Sequence, residues 1–373
     1  MEVTSTAAIG EVNADDWDRL AGGNPLYGRG WNRAQELALA APARCRYLVA
    51  YRNGEAVGMA AGREEDWMDP LLYGRAAGVA RAAGLGVGRA MRYGVVNGVG
   101  EAIVLAAGLG ERERAEARAT LIEAMIEDAA GQAVVVRGVR RWERELRGAL
   151  EARGFVGTRD LPGTYLPLPE GDFSAYRRWL RQKHATTEKN IGRELSLGRR
   201  GGLTTGEITD WASEREAVAA LFTTHWERWN GPLPYRRDYL TLLREGMGDR
   251  GMLRGAWVEG VLTGVQLVAR TGEVDIALSV AMDEERGRKS GAYFNLGYNS
   301  LIAEAMEAGR RGIYFGRLLY EAKARRGCVA VPVDMYIRPG RAWHGAVWRA
   351  AFPARNRMLE KQWAEMPEAG EGI

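Results

Sequence analysis

Lys323 is the first residue of this sequence whose type suggests chemistry. Of the 52 Lys and Arg residues in the 373-residue chain only five are lysines, at positions 183, 189, 289, 323 and 361. Lys323 follows the short apolar stretch 312–315 and stands in a charged run with Arg325 and Arg326. We therefore consider it a candidate catalytic cation, against the alternative of a solvated lysine in that run.

Two further side chains are candidates for proton transfer. Tyr314 lies within the apolar stretch 312–315 and is equally suited to a core position. His225, in the predicted helix 214–229, is a candidate general base, although a lone histidine is more often structural. The three histidines and two cysteines are scattered, so their spacing indicates no metal site.

The segment 288–293 is a candidate phosphate site. It contains Arg288, Lys289, Ser290 and Gly291 at a predicted turn before the helix 293–308. A helix N-terminus offers free amide groups and the positive end of the helix dipole, which both favour a phosphate. The alternative is an ordinary turn in which Ser290 caps the helix.

Positive charge is concentrated in one segment of the second half. Residues 1–165 contain 21 basic and 22 acidic residues, whereas residues 166–373 contain 31 and 26. Eight basic and only two acidic residues lie between 176 and 202, where sparse apolar positions predict one long, mostly solvated helix. Such a helix can follow a phosphate backbone, although most charge runs are simply solvated. The candidate contacts are Arg177, Arg178, Arg181, Lys183, Lys189 and Arg193.

The elements that position these residues form an approximate repeat. Residues 46–58 and 253–268 each read as strand, tight turn and strand, with Asn53-Gly54 and Glu259-Gly260 at the turns. Each copy is followed by a long helix, 111–130 or 293–308, and then by a short apolar strand. The pattern predicts two copies of one α+β unit, with coincidence of two common hairpins as the alternative.

Length and composition agree with two domains. A chain of 373 residues with 46% hydrophobic residues can bury large cores. No apolar run reaches the roughly 18–20 residues that span a bilayer, and no signal-peptide pattern is visible. Two cysteines cannot form a disulfide framework, so we expect a cytoplasmic protein. Three prolines between 157 and 169 place the predicted boundary at 165, which gives domains 1–165 and 166–373.

The ordered set of elements resembles the FemAB-like transferases, which consist of two tandem GNAT acyltransferase units and include the BioF2-like acetyltransferase domain. The residues that carry this resemblance are 180–183, 190–195, 221–229, 258–264, 287–298 and 312–316, followed by Lys323 and Gly327. The resemblance implies an α+β fold with two GNAT-like domains. Each would be a mixed, mostly antiparallel sheet flanked by helices, and the second would carry the basic helical segment 174–202.

The resemblance also implies roles for individual residues. In GNAT enzymes a loop Arg/Gln-x-x-Gly-x-Gly/Ala holds the pyrophosphate of coenzyme A. Arg288 and Gly291 match this loop, Tyr293 replaces its last small residue, and Gly316 would also contact the donor. The segment 81–86 matches the loop fully, but it does not follow the expected strand, so we consider this match coincidental. Fem-type transferases place a lysine near the reacting carbonyl, where Lys323 would stabilise an oxyanion.

We therefore expect an N-acyltransferase in which an amine attacks an activated acyl carbonyl. The resemblance and the basic second half favour aminoacyl-tRNA as the donor, with acyl-CoA as the alternative and no tightly bound cofactor. The acceptor would be a small biosynthetic amine or a cell-wall precursor. A non-catalytic nucleic-acid-binding protein on the same fold is the alternative from another class. The oligomeric state and any site in the first unit stay open.

Overall fold

The computed structural model describes residues 1–39, 43–68, 87–95, 100–340 and 342–370, and the segment 81–86 lies outside them. The elements of the first half are β1 (Glu2–Thr6), α1 (Ala14–Ala21), α2 (Arg29–Ala38), β2 (Cys45–Arg52), β3 (Glu55–Met68), β4 (Val87–Tyr93), β5 (Val104–Leu105), α3 (Glu111–Asp128), β6 (Ala133–Arg140), α4 (Arg144–Glu151), β7 (Val156–Arg159) and β8 (Gly163–Pro167).

The second half repeats this order after two additional helices. Its elements are α5 (Phe173–Lys183), α6 (Ala185–Arg200), β9 (Leu203–Glu207), α7 (Arg215–Asn230), α8 (Tyr239–Gly246), β10 (Gly251–Val258), β11 (Val261–Arg270), β12 (Val274–Met282), α9 (Glu284–Ser290), α10 (Ala292–Phe294), a π-helical turn (Asn295–Asn299), α11 (Ser300–Glu307), β13 (Gly312–Gly316), α12 (Tyr320–Arg325), β14 (Val329–Val331), β15 (Val333–Arg338) and α13 (Ala342–Glu360). The predicted duplication is confirmed.

Both predicted hairpins are present. Asn53 and Gly54 connect β2 to β3 with φ values of 52° and 82°, and Glu259 and Gly260 connect β10 to β11 with 51° and 78°. Two consecutive residues with positive φ form the turn whose twist matches that of antiparallel strands. These local signals therefore fixed the same supersecondary unit at equivalent places in the two halves.

Each of the two sheets includes one strand from the other half of the chain. The first sheet has the order β1-β2-β3-β4-β6-β15-β7, with β5 beside β3, and the second has β14-β8-β13-β12-β11-β10-β9. In both, one central pair is parallel (β4 with β6, and β12 with β13), and the other pairs are antiparallel. The sheets are thus mixed and mostly antiparallel, as predicted. β15 and β8 occupy equivalent places and exchange sheets.

The exchange bears on the predicted boundary at 165. Strand β8 spans that position and pairs with β13 and β14 of the second sheet, while β15 pairs with β6 and β7 of the first. The sheets therefore do not divide at one point of the chain. The division into domains 1–165 and 166–373 stays a prediction.

The equivalent helices α2 and α8 cross at two glycines. A Cβ on Gly30 would overlap the carbonyl oxygen of Gly246, and a Cβ on Gly246 would overlap that of Gly30. Around this crossing one core contains Trp31 and Ala34 of α2 together with Leu240 and Leu243 of α8. The absence of a side chain at both positions lets the two backbones touch, which joins the halves.

A buried ion cluster joins them a second time. Asp160 accepts two hydrogen bonds from Arg137 of the first sheet, at 2.9 and 2.8 Å, and lies 3.1 Å from the guanidinium of Arg317, which follows β13. Burial raises the pKa of the Asp160 carboxyl, but the two arginines lower it more, so its pKa falls below the ordinary value. Asp160 is therefore a charged connection between the sheets.

We expect Gly30→Ala to lower the free energy of unfolding by about 1–3 kcal/mol, because the new methyl group would push against backbone atoms. Gly148→Ala in α4 is the matched control, since nothing lies within 4 Å of the added carbon there. Alanine should raise helix stability at that exposed site by about 0.5–1 kcal/mol. Urea unfolding of both variants measures the difference, and equal responses would contradict the close crossing.

Candidate active site

The second sheet opens between β12 and β13. These strands pair only from Val274 to Ile276, opposite 312–314, and then separate. Strand β13 continues beside β8, while β12 continues beside β11 to Met282. We call the space between the separating ends the second-sheet gap. Lys323 and five of the six predicted donor-binding residues follow one of these two strand ends.

Lys323 lies buried at the β13 side of the second-sheet gap. Its Nζ donates to the carbonyl oxygens of Phe315 at 2.8 Å, Gly316 at 3.3 Å and Arg317 at 2.9 Å, and its side chain is 4% exposed. These three bonds use all three ammonium protons. Lys323 therefore holds the loop after β13 in place. Its role at an oxyanion stays a prediction and requires release of one of these carbonyls.

The loop that Lys323 holds is strained. Leu318 and Leu319 both have positive φ, 66° and 53°, a region that non-glycine residues rarely adopt. Their side chains are 57% and 60% exposed. Gly316 also has positive φ, 67°, and its carbonyl accepts a second hydrogen bond from Thr164 at 2.8 Å. The hydrogen bonds from Lys323 and Thr164 offset the backbone strain. Gly316 adopts its positive φ without steric cost, because it has no side chain.

Helix α9, together with α10, forms the turn that was predicted to hold the donor, and we call residues 284–294 the donor turn. The Asp283 carboxylate accepts hydrogen bonds from the amides of Glu285 and Arg286, at 3.0 and 3.1 Å. The first turn of α9 is therefore capped by an acidic group and carries Glu284 and Glu285. A negative charge at this position disfavours an anion at the start of α9. The two amides that Asp283 binds precede the predicted phosphate segment 288–293.

Ser290 is the last residue of α9, and Gly291 both ends α9 and directly precedes α10. The Ser290 hydroxyl donates to the Arg286 carbonyl at 2.9 Å, so the alternative in which Ser290 caps the following helix is wrong. Gly291 adopts a φ of 63°, which is usual for a residue that terminates a helix. Arg288 and Lys289 are exposed, and Lys289 pairs with Glu285 at 3.1 Å.

Helix α6 covers the donor turn. A Cβ on Gly201 would lie 3.2 Å from the backbone of Ser290, and one on Gly198 would lie 3.0 Å from the Asn295 amide. Asn295 in turn donates to the carbonyl of Glu194 at 2.9 Å. Gly198 in α6 and Gly201 directly after it thus allow direct contact with the π-helical turn and with the end of α9, where a pyrophosphate was expected.

Aromatic side chains fill the space beneath α6. Tyr293 contacts Phe294 and Tyr298, with ring centroids 5.2 and 6.3 Å apart, and Tyr298 contacts Phe315 of β13 at 4.9 Å. In the sequence, Tyr293 stands where the GNAT loop has a small residue. Its ring is one member of a cluster that connects the donor turn to the end of β13.

A buried charge pair closes this cluster. Arg326 stacks over the rings of Phe294 and Tyr298 at 4.5 and 4.7 Å and pairs with Glu194 of α6 at 2.8 Å. The other oxygen of Glu194 accepts a hydrogen bond from Asn299 at 3.0 Å. Sequence reasoning missed this pair, because its members are 132 positions apart and leave no local signal.

His225 and Tyr314 do not join Lys323. His225 lines a separate cavity of about 470 Å³ beside Met282 and Asp283, and burial lowers its pKa. Tyr314 lines a cavity of about 190 Å³ between the two sheets, together with Arg140. Burial raises the pKa of Tyr314 to about 12, so it stays protonated near neutral pH. The three predicted catalytic side chains therefore lie in three separate places of the structure and do not form one site.

The basic segment is not one long helix. His184, with φ −143° and ψ 68°, separates α5 from α6, and the segment is less solvated than predicted. Tyr176, Leu180 and Ile191 are fully buried in the core beside the second sheet. The helices turn at His184 because each must bury its own apolar face.

The six predicted phosphate contacts fall into two groups. Arg177 and Arg181 pair with the same carboxylate, Glu188, at 2.5 and 3.2 Å. The other four form no ion pair within the described residues, and their side chains are exposed. These are Arg178, Lys183, Lys189 and Arg193. An uncompensated positive surface therefore lies on α5 and α6, and α6 is the helix that covers the donor turn.

Within the described part of the chain, no group of three or more His, Cys, Asp or Glu residues is arranged to hold a metal ion. None of its helices is long and apolar enough to cross a membrane.

We expect the stability difference between the wild type and Lys323→Met to change with pH. Burial lowers the pKa of Lys323 to about 8 in the folded protein, from 10.5. Between these values the unfolded chain binds more protons, so the wild type should gain stability as pH rises. The gain over the variant, measured by urea unfolding at pH 8 and 10.5, should be about 2–3 kcal/mol. A constant difference would show that the three carbonyls keep the ammonium charged throughout.

Comparison with known proteins supports the fold. No family model matches the sequence, and no curated protein is similar to it. Among solved structures, FemX matches with a TM-score of 0.60 and 12% identity, over 94% of this chain and 99% of FemX. L-PGS from Bacillus licheniformis matches with a TM-score of 0.51 and 10% identity, over 93% of this chain and 97% of L-PGS. A C-terminal domain from Agrobacterium fabrum, described as that of a lysylphosphatidylglycerol synthetase, matches with a TM-score of 0.53 and 13% identity. The match covers 97% of this chain and 100% of that domain. The chain therefore has the tandem GNAT-like fold that its sequence predicts.

Proposed function

We propose that the protein is an N-acyltransferase that moves an aminoacyl group from aminoacyl-tRNA to an amine. In this reaction the amine nitrogen bonds to the acyl carbon, the ester bond to the ribose oxygen breaks, and that oxygen takes a proton as the nitrogen loses one. Most of the rate would come from holding amine and ester together. The observation that carries the proposal is the position of α6, a basic helix packed directly on the donor turn.

The donor turn itself argues against coenzyme A. Asp283 occupies the amides of Glu285 and Arg286 at the start of the turn. At its other end α6 approaches Ser290 and Gly291, because added Cβ atoms on Gly201 and Gly291 would each lie 3.2 Å from the facing segment. This cover leaves little room for a pyrophosphate at 288–291 and supports a donor other than coenzyme A.

The exposed face of α5 and α6 supports a polynucleotide donor. Lys189 and Arg193 stand four residues apart in α6, which places them on one side of the helix, and neither forms an ion pair within the described residues. Arg178 and Lys183 add charge on α5. Binding of a phosphate backbone to such a surface releases counterions, so it is strong at low salt and weakens steeply as salt rises.

Lys323 would act in this reaction as a positioning residue. It fixes the loop after β13 through three carbonyls, and that loop lies at the edge of the second-sheet gap. The buried positive charge also favours an oxyanion that develops nearby. Neither Tyr314 nor His225 contacts this loop through a hydrogen bond or ring contact in the described structure, so no proton-transfer role is assigned to them.

A donor panel tests the reaction. The protein is incubated with charged tRNAs and, separately, with acyl-CoAs, each in the presence of a set of amines, and products are identified by mass spectrometry. Amide products with charged tRNAs alone support the proposal. Products with acyl-CoAs alone would identify acyl-CoA as the donor and contradict the tRNA proposal. Binding of tRNA without any product would favour the non-catalytic alternative.

We expect the double variant Lys189→Glu, Arg193→Glu to raise KM for aminoacyl-tRNA by about tenfold or more at low salt, because two phosphate contacts become repulsive. The slope of log KM against log salt should become shallower by about 1.5. The double variant Arg112→Glu, Arg114→Glu on α3 reverses the same number of exposed charges in the first half and should leave KM unchanged. Equal effects of the two variants would point to net charge and contradict a site on α6.

A further inference from the structure

The first sheet opens in the same way as the second, and a cavity lies beside the opening. Strands β4 and β6 pair from 90–93 to 133–136, and the chain then leaves the sheet at Gly94 and Val95. A cavity of about 50 Å³ lies there between the sheet and helices α1 and α2. One water needs roughly 10–15 Å³ of such volume, so the cavity has room for about four water-sized groups.

Aromatic side chains form one side of this cavity, and polar groups form the other. The aromatic side consists of Trp17, Tyr27, Trp31 and Tyr47. The polar residues of the lining are Asn32, Gln35, Arg63, Glu65, Arg92 and the exposed Glu101. Tyr27 is already engaged, because its hydroxyl binds the amide of Glu101. The polar side is therefore where a ligand would find free hydrogen-bonding groups.

Gln35 has a buried side chain whose polar atoms the surrounding chain leaves unsatisfied. Its side chain is 5% exposed, yet neither its amide nitrogen nor its amide oxygen has a hydrogen-bond partner among the described residues. A buried amide without partners loses its hydration and gains nothing in return. An apolar side chain at position 35 would pack better against the aromatic rings that face α2. Contacts within the folded chain therefore do not explain why an amide stands at this position.

The two arginines repeat this pattern. Glu65 accepts from Arg63 at 2.5 Å and from Arg92 at 3.0 and 2.8 Å, so one carboxylate serves two guanidinium groups. Burial raises the pKa of Glu65, but the arginines lower it more, so the carboxylate stays charged. Nη1 of Arg63 and Nε of Arg92 have no partner among the described residues. Two buried guanidinium nitrogens are therefore left with free donor capacity.

We propose that this cavity binds a small carboxylate that carries a hydroxyl or ammonium group beside its carboxyl carbon. The carboxylate accepts from the free N–H groups of Arg63 and Arg92, and hydrogen bonds between such charged groups are the strong ones. The second group donates to the free amide oxygen of Gln35. Hydroxy acids and amino acids share this chemistry, and their binding does not depend on any acyl donor.

Four small molecules separate the parts of this recognition. Glycolate and glycine have both groups, acetate has only the carboxylate, and ethylene glycol has only hydroxyls. Titrations followed by protein NMR should show glycolate, glycine or both binding about tenfold more tightly than acetate, the factor expected for one added hydrogen bond. Ethylene glycol should not bind. Failure of both glycolate and glycine to bind saturably, or affinities no better than that of acetate, would overturn the proposal.

A variant assigns the discrimination to Gln35. Gln35→Met keeps the size of the side chain but removes both amide atoms, so glycolate and glycine should fall to the affinity of acetate. The ligand-free variant should melt at a higher temperature than the wild type, because an unpartnered buried amide is gone. Gln182→Met makes the same change at an exposed site on α5 and should alter neither property. Unchanged preference for glycolate and glycine in Gln35→Met would overturn the proposal, and the four-ligand comparison decides it even if this variant does not fold.

Discussion

The exchange of β8 and β15 is the constraint on which the rest of the molecule depends. Without β15 the facing edges of β6 and β7 have no partner for their backbone groups, and without β8 the same holds for β13 and β14. Asp160 lies where the chain passes from β7 to β8, and it pairs with Arg137 of the first sheet and with Arg317, which follows β13 of the second. Neither sheet is complete without the other half of the chain. The second-sheet gap and the opening between β4 and β6 of the first sheet are therefore held in fixed positions relative to each other.

The two copies of the unit share one strand order but differ where their parallel strands separate. In the first half the gap adjoins a cavity whose polar groups are unsatisfied, at Gln35, Arg63 and Arg92. In the second half the gap is filled by aromatic rings and closed by Glu194 and Arg326. The residues of one copy thus suit a small polar ligand, and those of the other suit a large anionic ligand on the surface of α6.

Local features of this fold were predictable from the sequence, and long-range ones were not. Asn53-Gly54 and Glu259-Gly260 specify their hairpins because the turn needs two residues with positive φ. The break at His184 has no glycine or proline to indicate it, and only burial of Tyr176 and Ile191 explains it. Lys323 was selected for its rarity, yet only the structure reveals that carbonyls engage all its protons. The exchange of β8 and β15 depends on which edge each strand meets after the chain has collapsed.

The central claim is that the donor reaches the second unit across α6 and not through a pyrophosphate site at the donor turn. Hydrogen exchange of the full chain, measured with uncharged tRNA and with acetyl-CoA, tests it most directly. We expect tRNA to slow exchange of amides in α5 and α6, and acetyl-CoA to leave residues 284–294 unchanged. Protection of 284–294 by acetyl-CoA, without protection of α5 and α6 by tRNA, would contradict the account.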